Sequence, residues 1–72
     1  VLFRSQVIPT LINAGESWHV QNAAVNDVFR LYDEAGKLMW AGKLENGKVP
    51  YIPNEAGMYI LESNGETVKL VK

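Results

Sequence analysis

The chain has 72 residues and no cysteine, carries seven basic against eight acidic side chains, and is 47% apolar with two Trp, three Tyr and two Phe. This describes one domain near the lower size limit for an unaided core, with neither a disulfide framework nor a thiolate metal site. The interspersed charges form no basic face for nucleic acid, no apolar run reaches the ~20 residues of a membrane span, and His19 alone is short of a zinc ligand set.

Turn formers recur at short intervals: Pro9, Asn13-Ala14-Gly15, Asn26-Asp27, Gly36, Gly42, Asn46-Gly47, Pro50, Pro53-Asn54, Gly57 and Asn64-Gly65. Such spacing admits strands of about 4–8 residues and no three-turn helix. Residues 21–28 alone invite helical winding, and Asn22, Asn26 and Asp27 argue against it. The first two expected strands cover residues 7–11 and 17–21. The third, 28–32, sets Phe29 and Leu31 on one face and Arg30 on the other.

Asp33-Glu34-Ala35-Gly36 then turns the chain into a fourth strand, 37–44, in which Leu38 and Trp40 alternate with Lys37 and Met39. Asn46-Gly47 leads into an expected strand at 48–52, and an irregular link follows at 53–56. The closing pair, 57–63 and 66–71, is joined by Asn64-Gly65, the dipeptide favoured in a two-residue type I′ turn. Met58 to Leu61 is apolar on both faces, which suggests an interior strand. Tight turns without crossover helices imply antiparallel pairing. The expected fold is all-β: a small Ig-like antiparallel β-sandwich of six to seven short strands.

Catalytic groupings are weak. His19 lies beside Trp18 and near Glu16, but no partnered nucleophile is evident and it reads as an outward strand residue. Ser5, Ser17 and Ser63 lack a G-x-S-x-G elbow, and the glycines fit no phosphate cradle. Asp33 and Glu34 pair two carboxylates in a turn, where capping the backbone is a better reading than binding calcium. Trp18, Trp40, Tyr32, Tyr51 and Tyr59 suit a core better than an aromatic binding strip. Binding rather than catalysis is expected, with no cofactor and no metal.

Four segments, in order, resemble one family. Ile8-Pro9-Thr10-Leu11-Ile12-Asn13-Ala14-Gly15-Glu16 resembles its opening, a Pro-containing strand followed by a polar turn. Phe29-Arg30-Leu31-Tyr32-Asp33-Glu34-Ala35-Gly36-Lys37-Leu38 is similar to its central element, which turns through Gly36-Lys37. Gly57-Met58-Tyr59-Ile60-Leu61 looks like its Gly-x-Tyr strand, and Val68-Lys69-Leu70-Val71-Lys72 like its short basic-apolar ending. The family is the C-terminal sorting domain of type IX secretion cargo (the Por system) of Bacteroidetes. Its opening often reads Pro-Asn-Pro, whereas here Pro9 precedes Thr10.

The resemblance implies an Ig-like sandwich that serves as a secretion address, in transit through the periplasm to the outer membrane, cell surface or exterior. The implied partners are an outer-membrane translocon, a shuttle protein and a sortase-like cysteine protease that often removes the domain and anchors the cargo. Residues 7–72 would be the sorting domain, and residues 1–6 a linker or tag remnant.

An edge strand at the end of this domain exposes unpaired backbone groups, so Lys69, Leu70, Val71 and Lys72 are the expected translocon-recognition residues. Lys69 and Lys72 also serve as solubilising edge residues, and the residues alone leave both readings open. Gly36, Lys37, Gly57 and Tyr59 are motif positions, with Tyr59 expected in the core. A homodimer through edge strands is a further option, and nucleic acid is not an expected partner. The alternative function is a generic Ig-like or fibronectin-like adhesion or carbohydrate-binding module.

Overall fold

Both Asn-Gly dipeptides turn the chain as their chemistry requires. A computed structural model describes residues 6–8, 16–21, 23 and 26–72. In it Asn46 and Gly47 have φ of 53° and 76°, and Asn64 and Gly65 have 54° and 78°. Two successive positive φ values define the type I′ turn, whose twist matches that of the strands it joins.

Among the described residues six strands result: β1 (Gln6–Ile8), β2 (His19–Gln21), β3 (Val28–Asp33), β4 (Leu38–Lys43), β5 (Met58–Ser63) and β6 (Glu66–Val71). β1 and β2 pair antiparallel as a small sheet, and the others form a four-stranded antiparallel sheet in the order β4-β3-β5-β6. That order matches the C′-C-F-G run of a variable-type immunoglobulin sheet. Tyr59, near the start of β5, donates its hydroxyl to the Glu55 carbonyl four residues upstream at 2.6 Å, as a tyrosine corner does.

Alternation along the strands puts Phe29, Leu31, Tyr59, Leu61 and Leu70 on one face of the large sheet, all buried. Trp18, Val20 and Val49 complete the core from the other layer. The rings of Trp18 and Tyr59 meet across it, with centroids 5.9 Å apart and planes tilted by 57°. Each such buried side chain stabilises the fold by roughly 1.5–3 kcal/mol.

The fold corrects two expectations. Residues 48–52 do not form a strand, because Pro50 in their middle has no amide to donate to a ladder. Only the start of that segment pairs: Val20 N–H donates to the Gly47 carbonyl at 2.8 Å and Val49 N–H to the Trp18 carbonyl at 3.0 Å, on either side of a His19–Lys48 bridge. Beyond it, Pro53 is buried, and Tyr51 and Ile52 pack on the core.

The second correction concerns β4. Trp40 stands opposite Leu31, but Leu38 stands opposite Tyr32, so the register skips Met39. This β-bulge places Leu38 and Trp40 on opposite faces instead of one. Trp40 packs on the core and Leu38 is exposed.

β1 also begins at Gln6, one residue before the expected domain boundary, and pairs Gln6 with Gln21. The rest of that expected strand, residues 9–11, lies outside the described residues, as do Ser5 and the opening motif from Pro9 to Gly15.

Candidate recognition edge on strand β6

The β5–β6 hairpin determines which groups of β6 face outward. Gly57 and Lys72 exchange both backbone hydrogen bonds, at 2.9 and 3.0 Å. The pairing then runs without a break from Met58–Val71 to Ser63–Glu66. Hydrogen-bonded and non-bonded pairs alternate in an antiparallel ladder. Thr67, Lys69 and Val71 therefore direct their N–H and C=O groups away from β5. Among the described residues no strand lies on that side.

The four expected recognition residues divide by role. Lys69 is exposed on the outer face, opposite Ile60. Val71 is half-buried beside Met58 on the same face. Leu70 is fully buried and belongs to the core. Lys72 turns inward, its Nζ donating to the Pro53 carbonyl. The basic pair therefore presents one outward charge, Lys69, while Lys72 fastens the 53–57 loop to the end of β6.

The motif glycines and their neighbours are architectural. Asp33 Oδ1 accepts from the Ala35 amide at 3.0 Å and the Lys37 amide at 2.8 Å, while the Gly36 amide donates to the Asp33 carbonyl at 3.0 Å. This is the backbone capping expected of an acidic turn residue. Gly57 has φ +157°, a conformation that side chains on an L-residue rarely adopt, and both its backbone groups are held by Lys72. Tyr59 is a core residue. Burial pushes its phenol above the usual tyrosine value, and the nearby Glu55 carboxylate, Tyr51, Asp33 and Glu34 push in the same direction.

The remaining candidates do not converge. His19 faces outward, as expected. Ser63 is buried, its Oγ donating to the Val28 carbonyl at 3.0 Å, which ties β5 to the start of β3. Among the described residues no group of three His, Asp or Glu stands close enough to hold a metal. The five aromatics form no strip: Trp18 and Tyr59 are buried, Trp40 and Tyr51 pack on the core, and Tyr32 lies on the outer face with Ile60.

Two features of the edge escape a reading by motif. The inward turn of Lys72 leaves no signature in the sequence. The outward phase of Thr67, Lys69 and Val71 does, because residues flanking a two-residue turn form a hydrogen-bonded pair and every second residue beyond it faces out. No protein-family model, curated protein or solved structure matches this chain.

Proposed function

We propose that the chain is a sorting domain of the type IX secretion kind, recognised by strand addition at the free edge of β6 rather than acting as a catalyst. One observation carries the reading. The segment that resembles the family's ending coincides with an edge strand whose outward amides and carbonyls, at Thr67, Lys69 and Val71, have no strand beside them among the described residues. An extended receptor segment gains main-chain hydrogen bonds at such an edge, and an acidic side chain on it would meet Lys69.

Removing Lys69 through Lys72 would be a poor test, since Leu70 is core and Lys72 holds Gly57. Lys69→Pro is sharper. It deletes an outward N–H and leaves the β5–β6 bonds in place, and proline is tolerated on an edge strand at such a position. A reporter joined ahead of Val1 is expected on the surface of a bacterium with a type IX translocon, and in the periplasm when it carries Lys69→Pro. Thermal unfolding of the purified variant shows that the domain still folds. Unchanged export by a folded Lys69→Pro domain would remove the edge from the proposal. Periplasmic retention of the unaltered fusion would remove the sorting role and leave an adhesion or spacer module.

A further inference from the structure

The second face of the large sheet carries several exposed apolar side chains beside the Arg30–Glu62 ion pair, which spans 3.2 Å. Leu38, Tyr32, Ile60 and Lys69 stand in one row across β4, β3, β5 and β6. Leu38 is 50% exposed, and Met58 and Ile60 are each 40% exposed. Above β5 and β6 the surface sinks into a groove of about 350 Å³, lined by Met58, Ile60 and Thr67, with Glu34 and Lys69 also on its walls. The Glu34 carboxylate reaches over the start of β5, 3.9 Å from where a Cβ on Gly57 would sit. Among the described residues neither Glu34 nor Lys69 has an ion-pair partner.

An apolar floor between one unpaired acid and one unpaired base is self-complementary. Face-to-face packing of two sheets about a two-fold axis lying between them carries each residue i onto a partner j, and j onto i. With the axis at right angles to the line from Glu34 to Lys69, each Glu34 meets the other copy's Lys69. Met58 and Ile60 then lie over their counterparts at the centre.

We infer that this outer face is where a second copy of the chain docks, with two reciprocal Glu34–Lys69 pairs enclosing a Met58–Ile60 centre. Strands about 4.8 Å apart with a rise of about 3.4 Å per residue make a face of roughly 20 by 20 Å, at the small end for association. The dimer is therefore weak and depends on concentration. It leaves the β6 edge open and does not rest on the sorting role.

Sedimentation equilibrium from about 10 μM to about 1 mM tests the inference. The unaltered chain is expected to pass from monomer to dimer in that range. Glu34→Lys leaves two bases at the contact and Lys69→Glu leaves two acids, so each is expected to stay monomeric alone. Mixed in equal amounts, they are expected to form a heterodimer at least as tight as the original, since every contact is again opposite in sign. Ile60→Ser, at an exposed position in the centre of the face, is a second probe and should also be monomeric.

Thermal unfolding confirms that each variant is folded. A monomer throughout the range overturns the inference, as does a mixture that stays monomeric. So does a dimer that survives Glu34→Lys or Ile60→Ser, which would indicate pairing through a strand edge.

Discussion

Tyr59 joins three parts of the molecule through one side chain: its ring meets Trp18, its hydroxyl holds the Glu55 carbonyl, and its strand lies between β3 and β6. Tyr59→Phe keeps the ring and loses the hydrogen bond, which typically costs about 1 kcal/mol. In a domain of this size that lowers Tm by about 4–8 °C, measurable by circular dichroism. The raised phenol pKa adds a dependence on pH. Above about pH 10 the unfolded chain loses this proton while the folded chain keeps it, so stability is full below pH 10 and falls as pH climbs toward the folded value. The urea midpoint of the unaltered protein should therefore drop more steeply above pH 10 than that of Tyr59→Phe. The burial of Tyr59 was expected because aromatic residues at strand spacing favour a core. Its hydroxyl partner was not, because that depends on how the 53–57 loop returns to the sheet.

Among the elements, the closing hairpin is the most fully specified by its own residues. Nothing lies within 4 Å of a Cβ built on Gly65, so Gly65→Ala meets no steric obstacle and strains only the backbone at φ 78°. The left-handed region costs an L-residue about 1–2 kcal/mol, and the same loss is expected in urea unfolding of Gly65→Ala. Four strands and both Asn-Gly turns were readable because their signals are local: period-two apolar residues ended by residues that accept positive φ. The strand at β4 was readable too, but its register resisted the same reasoning. Its apolar residues alternate correctly, yet the bulge at Met39 is imposed by pairing with β3 and reverses the face of Leu38. Residues 48–52 failed for the opposite reason. Pro50 was in plain view, but the apolar residues around it fill the core without forming a strand.

At the scale of the whole molecule, the core is one cluster built from both layers, with no disulfide to support it. Leu61 is fully buried on β5, an interior strand of the large sheet, opposite Leu31 and Val68. Leu61→Ala is expected to cost about 2–5 kcal/mol, a large share of the roughly 4–11 kcal/mol typical of 72 residues, and calorimetry should show a much lower Tm. The all-β class was apparent from breaker spacing. The exposure of Met58 and Ile60 was not, since an apolar residue on an interior strand reads the same whether or not another layer covers it. The short loop of the β5–β6 hairpin has a separate consequence, in time rather than space. Hairpins of this kind close in about 1–10 μs, before distant segments meet, so Tyr59, Leu61 and Leu70 can be brought together while the rest of the chain is still loose. A ribosome delivers the segments in the reverse order. Phe29 and Leu31 emerge before β5 is there to pair with β3, so the large sheet closes only once the β5–β6 hairpin has been made.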